Sequence, residues 1–456
     1  MIVITDKVTC CGCWACENIC PKHCVVMKED NEGFRYPEVD VEVCIECGLC
    51  EAVCPILHKP IKEHEETIGY VIQHKDNNIR RDSTSGGFFS AISDYVLNQN
   101  GYVFGAIYNK KMEVVHYGTN KKEEIQLFRG SKYVQSKIGH TYQEAKKLLQ
   151  TGCLVCFSGT PCQIAGLKNY LKKDYANLIT VDLVCRGNPS PLLFRKYLEY
   201  QQIKYKNKVT GVKFRDKYYG YNYSTMTLDF EDERIQYHYG MEADLMLKFF
   251  FKGLCSKPAC HQCVFKSIER VSDFTIFDCW NAKFYNKIMD KAGATHVFIH
   301  SQKGFDYFEY LNSNDIMNIV NILKDSTLSV EEQVTIVQEL SLLSLTTLNS
   351  NEMEEQEEDI LVIEEAGVDR EELVNLFKEY GYDFEKFDKD KLLSCGNINN
   401  IRGMLDVLAE NSLRIDINNT SCKLAVIFIN SNSTILSVII KNIKDDVEKN
   451  RKQLVG

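Results

Sequence analysis

Residues 10 to 21, Cys10-Cys11-Gly12-Cys13-Trp14-Ala15-Cys16-Glu17-Asn18-Ile19-Cys20-Pro21, decide how the front of this chain folds. The cysteines at 10, 13, 16 and 20 spell C-x2-C-x2-C-x3-C, followed by proline. Cys44, Cys47, Cys50 and Cys54, followed by Pro55, spell it again. Every position of the second copy lies 34 residues after the first, which makes this an internal repeat.

The spacing is that of the bacterial two-cluster ferredoxin run. Two-residue gaps let three thiolates wrap one face of a cubane from a tight loop. The fourth cysteine lies too far along to close the same cube and ligates the other cluster. Cys10, Cys13, Cys16 and Cys54 are therefore expected on one 4Fe–4S cluster, and Cys44, Cys47, Cys50 and Cys20 on the other. Pro21 and Pro55 turn the chain away, because proline cannot continue regular hydrogen bonding. A pair of zinc sites is the competing reading. Zinc takes four ligands and has no use for a third cysteine two residues on, nor for the proline. Cys11 and Cys24 fall outside the spacing and read as small buried thiols packed near a cluster.

Working outward, the chain has 456 residues, 44% of them hydrophobic, enough for two or three domains. Its net charge of −9 argues against a broad nucleic-acid surface, which needs a basic stripe. Residues 1 to 6 lack the basic region and long apolar run of a signal peptide. The 20 cysteines therefore read as a cluster protein's thiols, and a reducing, anoxic cytoplasm is the expected compartment. No apolar run reaches the ~18 residues of a membrane helix. The nearest candidate, residues 423 to 440, is split by Asn430-Ser431-Asn432-Ser433 into a predicted hairpin.

Residues 1–60 form the expected ferredoxin-like module, in which residues 33 to 40 read as a strand and turn. Residues 61 to 66 read as a polar linker. Beyond it, strands are predicted over 69–75, 102–108, 153–159 and 177–184. Helices are predicted over 86–101, ending at Gly101, and over 141–152 and 160–173. The alternation points to a mixed α/β (α+β) fold with partly parallel strands over residues 67–320. Residues 321–456, with an acidic run at 351–359, read as an appended α+β region.

Further cysteines lie in the central part. Cys162 sits where a strand gives way to a helix, and Cys185 ends the next strand. Strand C-termini in α/β folds face the ligand crevice, so the two could converge. Cys260 and Cys263 form a C-x2-C that could close a tetrad. Buried apolar thiols are the equal alternative. Cys153 and Cys156, three apart on a predicted strand, point to opposite faces and read as core. No G-x-G-x-x-G follows a strand. Ser85-Gly86-Gly87 opens a helix, where free amides attract anions, although Ser85 also reads as a simple N-cap. Gly130-Ser131-Lys132 adds a glycine and a cation. Lys132, Arg215 and Lys217 are candidate contacts to an anion, each also readable as a solvated charge.

The stretches STSGGFFSAI, RGSKYVQS, FSGTPCQIAGL, VDLVCRGNPSP, KFRDKYYGY, GLCSKPACHQC and SDFTIFDCWN fall in one order. Together they resemble the beta subunits of coenzyme F420 (deazaflavin) hydrogenases and dehydrogenases, over residues 67 to 315. The resemblance implies an iron–sulfur flavoprotein that binds FAD and a third 4Fe–4S cluster. It implies Cys162, Cys185, Cys260 and Cys263 as that cluster's ligands, with Cys255 competing for one place. It favours Ser85, Gly86, Gly87, Gly130, Ser131 and Lys132 as contacts of the flavin. The chain departs at Phe277-Asp278-Cys279-Trp280-Asn281, where the family's two glycines are missing. That puts close cofactor approach there in doubt, and Cys279 reads as packing.

The expected function is an iron–sulfur flavoprotein oxidoreductase. It relays electrons between ferredoxin-type clusters and an FAD that serves a soluble hydride carrier or small substrate. Its expected partner is a ferredoxin or another oxidoreductase subunit. The alternative is a non-catalytic relay subunit of a larger redox complex. No side chain is expected to be the catalytic centre.

Overall fold

The two cysteine runs fold alike. In the computed structural model, which describes residues 1–61, 67–267, 270–280, 292–314, 316–321, 422–429 and 436–442, each run enters a short helix. These are α1 (Ala15–Ile19) and α2 (Leu49–Ala52), again 34 residues apart. Ahead of each helix two residues adopt the left-handed region: Gly12 and Trp14 in the first run, Glu46 and Gly48 in the second. Trp14 and Glu46 are not glycines, and each costs roughly 1–2 kcal/mol in that conformation. Alternating right- and left-handed residues turn successive amides into one concavity, the kind of nest that holds anions and iron–sulfur clusters. Between the runs, β1 (Val25–Glu29) and β2 (Arg35–Val39) pair antiparallel.

The central part is built on a mixed sheet. Its strands are β3 (Ile68–His74), β4 (Tyr102–Tyr108), β5 (Val114–Thr119), β6 (Val155–Gly159), β7 (Leu178–Leu183), β11 (Phe274–Asp278), β12 (Thr295–Ile299) and β13 (Met317–Asn321). The order is β13-β3-β12-β11-β7-β6-β4-β5, with β4, β6, β7 and β11 parallel in sequence and the flanks antiparallel. The predicted strands coincide with β3, β4, β6 and β7. The predicted helices appear as α4 (Phe88–Asn98), α5 (Thr141–Gln150) and α6 (Pro161–Leu171); α3 (Asn77–Asp82) precedes them. Two details differ. Cys153 lies in the loop before β6 rather than on the strand. At the end of α4 the left-handed position falls on Asn100, while the Gly101 amide donates back to Val96 O at 2.9 Å.

A second sheet, of β8 (Val209–Asp216), β9 (Thr225–Phe230) and β10 (His238–Gly240), packs its apolar face with α7 (Pro191–Tyr205) and α8 (Leu245–Phe251). The last described helix is α9 (Gln302–Ser313). Among the described residues no helix is long and apolar enough to cross a membrane.

The chain divides into two compact units, Met1–Asn349 and Ser350–Gly456. Within the first, the cysteine module and the sheet share one core. Trp14, Ala15 and Val53 pack in the same cluster as Phe104, Tyr142, Phe157, Ile164 and Leu167. The fully buried Tyr142 hydroxyl lies 2.9 Å from Cys13 O and 2.7 Å from Gln163 O, tying α1 to α5 and α6. Gly166 sits mid-helix in α6, where glycine costs about 1 kcal/mol against alanine. A Cβ there would come within 3.0 Å of Cys13 Sγ. In the second unit the predicted hairpin is present as β14 (Cys422–Ile429) and β15 (Leu436–Asn442), antiparallel. Residues 62–66 of the expected linker at 61–66, the acidic run and Asn281 lie outside the described residues.

Candidate functional site

The cysteines assemble into three groups. Burial, then the charge of Cys13, Cys10 and Cys54, pushes the Cys16 thiol well above its usual range. Burial takes Cys10 to about 11. The first run therefore gathers with Cys54 from the second. Cys20, Cys44, Cys47 and Cys50 line one small cavity together with Cys24, whose Sγ lies 3.3 Å from Cys20 Sγ. The Ile2 amide donates to Cys50 Sγ at 3.3 Å, and Cys47 is exposed.

The third group comes from four places in the fold. Cys162 is the second residue of α6, whose start is fixed by Pro161 and a Thr160–Gln163 capping box. Cys185 lies two residues beyond β7. Cys260 and Cys263 follow α8, and the Asn188 amide donates to Cys260 Sγ at 3.4 Å. Burial first, then Cys260, Cys162 and Cys263, raises Cys185 well above the thiol range. Cys255 stands outside this group; burial alone carries it to about 11. Among the described residues no three Cys, His, Asp or Glu side chains are placed to hold a single ion.

Cys11 connects two of the groups. The neighbouring Cys13 and Cys162 thiols, then burial, push its thiol well above the usual range. The same neighbour, Cys11, draws the Cys162 thiol down to about 7. It packs with Cys162, Ala165, Phe265 and Cys263. Lys257 is a second link. It is fully buried, donates to Arg35 O at 3.0 Å and lies 3.3 Å from the Tyr36 ring centroid. Burial lowers it to about 8, against the charge of Cys10, Cys11 and Cys260.

Beside Cys185 opens a cavity of about 360 Å³ at the C-terminal ends of β6 and β7. Phe88, Phe128, Tyr133, Phe250, Phe251 and Trp280 give it aromatic walls. Ser85, Gly87, Gly130, Ser131 and Lys132 line it. Gly130 has φ +79°, and a Cβ built on it meets nothing within 4 Å, so its backbone is open to a ligand. Gly87, at φ +90°, is the N-cap of α4, and the first helical amides have no intrahelical acceptor. This combination fits a flat aromatic ligand with an anionic arm.

Other expected contacts are corrected. Gly86 faces the sheet: its amide donates to Thr295 Oγ1 at 2.7 Å, and a Cβ would lie 2.8 Å from Thr295 N. Ser85 caps nothing, because its hydroxyl donates to Asp278. Lys132 lines the cavity, yet its ammonium donates to the carbonyls of Phe128, Arg129 and Gly130, and burial lowers it to about 7. Arg215 is paired with Asp278 at 2.9 Å and lies 4.5 Å from the Trp280 ring centroid. Lys217 donates to Arg80 O, Ser85 O and Ala292 O. None of these three is a solvated charge. Cys279 and Cys156 are fully buried, as packing thiols. Tyr142, Arg186 and Lys257 carry no signature of their own in the sequence. The one available signal was that Arg186 and Lys257 each sit within three residues of a grouped cysteine.

Fold and thiol groups together define an iron–sulfur redox protein. Residues 152–325 match the family described as the C terminus of the coenzyme F420 hydrogenase/dehydrogenase beta subunit. Residues 9–56 match the 4Fe-4S dicluster domain. Residues 152–325 thus carry the segment that this family model describes, with a dicluster module in front of it. A solved structure, the xenon-derivatised F420-reducing NiFe hydrogenase complex from Methanosarcina barkeri, is similar over 63% of this chain and 90% of that one, with 16% identity and a TM-score of 0.41. No curated protein matches.

Proposed function

We propose that the chain is an iron–sulfur flavoprotein oxidoreductase. In this reading Cys10, Cys13, Cys16 and Cys54 hold the first 4Fe–4S cluster, and Cys20, Cys44, Cys47 and Cys50 the second. Cys162, Cys185, Cys260 and Cys263 hold a third, and the aromatic cavity holds FAD. The carrying observation is serial adjacency. The second group opens to solvent at Cys47, the thiols Cys10, Cys13 and Cys16 of the first are buried, Cys11 packs between the first run and Cys162 of the third, and Cys185 lines the cavity. When bound, the clusters supply one-electron storage and the flavin supplies two-electron exchange with a soluble hydride carrier or small substrate. The protein's residues hold these sites in line, keep water out with aromatic walls, and leave Gly87 and Gly130 open to the cofactor's anionic arm. The module is taken as 1–60, the core as 67–320 and the appended region as 321–456. The partner is a ferredoxin or another oxidoreductase subunit, in a reducing cytoplasm.

The test is flavin content after anaerobic purification and gel filtration, followed by reduction with a panel of donors. Stoichiometric flavin that is reduced through the clusters supports the reading. A cluster-loaded chain that carries no flavin and takes none up returns it to a relay subunit.

A further inference from the structure

The loop that leads into the second cysteine run carries an exposed apolar row. Val41, Val43 and Ile45 are 64%, 46% and 56% exposed. Single exposed apolar side chains are ordinary on a protein surface. A row of them beside a functional opening is a mark of an interaction face. The opening here is Cys47, the exposed thiol of the second group. Ile45, Glu46 and Cys47 line one small cavity with Cys20, Cys44 and Cys50. The loop is also pinned. The Asp40 amide donates to Cys24 O at 2.8 Å, the Cys44 amide to Asp40 O at 3.1 Å, and the Glu42 amide to Asp40 Oδ1 at 3.1 Å. The row is therefore preorganised, and covering it costs little ordering entropy.

The charges around the row say what covers it. Acids alternate with the apolar residues: Glu38, Asp40, Glu42, Glu46 and Glu51 fall within residues 38–51, where there is no lysine, arginine or histidine. Glu38 pairs with Lys28, and Glu51 with the N-terminal ammonium at 3.2 Å. Asp40, Glu42 and Glu46 are exposed, and among the described residues no cation pairs with them. Lys22 is the one lysine or arginine lining the cavity at Cys47. Three carboxylates outweigh it, and a loaded 4Fe–4S cluster with four thiolates is itself net anionic. The appended residues 350–456 carry 22 Asp and Glu against 13 Lys and Arg, and the whole chain has a net charge of −9. Neither that region nor a second copy complements the face, because like charges brought together across an interface oppose association.

We infer that the face around Cys47 docks a one-electron redox protein whose own electron port lies in an apolar patch rimmed by lysines and arginines. The inference rests on the relay reading and names the class of its partner. Basic redox proteins fit, and acidic ones of the ferredoxin kind do not. One electron passes from the reduced second cluster to the partner's oxidised centre, and no bond or proton moves with it.

The experiment uses the full-length, anaerobically reconstituted and reduced protein in a stopped-flow mixer. The probes are a basic c-type cytochrome and an acidic rubredoxin, each reduced from ferric to ferrous iron. Three variants are compared after iron per chain and circular dichroism are matched to the unsubstituted protein: Glu42→Gln/Glu46→Gln, Val43→Ser/Ile45→Ser, and Cys47→Ser as the altered port. Cytochrome reduction by the unsubstituted protein should fall on the order of tenfold from low to high salt, and rubredoxin reduction should rise. The Gln pair should slow the cytochrome several-fold at low salt and converge with the unsubstituted protein at high salt. The Ser pair should slow it at both, because apolar contact is not screened. A cytochrome rate that ignores salt or ignores the Gln pair overturns the inference, as does a rubredoxin rate that falls with salt. A dimer that dissociates in the Ser pair on gel filtration overturns it as well, since a second copy then covers the face. If Cys47→Ser protein reduces the cytochrome at the unsubstituted rate, electrons leave elsewhere, and the relay reading fails together with the inference.

Discussion

Replacing Cys11 with alanine tests the arrangement of the clusters at its joint. Cys11 packs against Cys162 and its thiol is coupled to Cys13, one from each of two proposed clusters, which places its S–H to donate to either. A donor to a cluster sulfur favours the reduced, more negative state, so losing it lowers the midpoint potential. A neutral hydrogen bond is worth about 0.5–1.5 kcal/mol net. With about 59 mV per 1.4 kcal/mol for a one-electron couple, that is roughly 20–60 mV downward, divided between two centres. The backbone should hold, because Gln135 Nε2 reaches the Cys11 carbonyl, 3.4 Å away, rather than its thiol. Cys11→Ser keeps a donor and should restore most of the shift.

The assay is an anaerobic redox titration followed by electron paramagnetic resonance, with Cys24→Ala as comparison. Cys24 touches Cys20 and Cys44, both in the second group. Cys11→Ala should therefore move two centres, and Cys24→Ala should move only the remaining one. If Cys11→Ala moves a single centre, or moves the same centre as Cys24→Ala, the first and third groups are not neighbours through this thiol.

Three further outcomes are expected. Three cubanes imply about twelve irons per chain on anaerobic metal analysis; a stable value near eight with flavin intact removes the third cluster, and stoichiometric zinc removes all three. Cys20→Ser should give spectra like those of Cys47→Ser and unlike those of Cys13→Ser, because Cys20 shares a cavity with Cys44, Cys47 and Cys50; resemblance to Cys13→Ser refutes the exchange of fourth ligands. Gly130→Ala, which costs about 1–2 kcal/mol of backbone strain at φ +79°, should keep the fold by circular dichroism yet weaken flavin retention on gel filtration, since its Cβ enters open cavity, whereas Gly86→Ala should destabilise the fold against β12; equal flavin retention in both would refute the placement of the cofactor's arm.

What could be read from the sequence follows the range of each interaction. The two cysteine runs were legible because loop geometry over ten residues fixes which thiols meet. β4 was legible to the residue because Tyr102–Tyr108 carries a strand pattern between turn signals. The start of α6 was legible from Thr160 and Pro161. Long-range placements were not. Cys11 meets Cys162 from the far side of the chain, and no local spacing announces it. Lys132 and Lys217 looked like free charges because the groups they satisfy are backbone carbonyls, which have no signature in side-chain type. Gly86 and Gly87 looked equivalent, yet one packs on the sheet and the other lines the cavity. The β8–β9–β10 sheet went unread because its apolar face is completed by α7 and α8 rather than by its own pattern.

The shared core changes what the front module is. A polar stretch after residue 60 invites the picture of a detachable relay, and a chain cut there would be expected to keep its flavin. Yet removing residues 1–60 takes away Trp14, Ala15 and Val53, which pack against Phe104, Phe157 and Leu167, and strips Tyr142 of Cys13 O. Large buried side chains lost from a core each cost about 2–5 kcal/mol, against a whole-domain stability of about 5–15 kcal/mol. The truncated chain should therefore aggregate or melt rather than persist as a flavoprotein. The same reasoning reaches the metal. Trp14 and Glu46 are held left-handed, and Cys10 and Cys16 are buried where burial opposes their ionisation. Cluster binding needs those thiols deprotonated and would supply the opposing charge, so assembly and folding of this joint are one coupled equilibrium. A variant that cannot load its first cluster should then lose the cavity as well, although that cavity lies on the far side of Cys162.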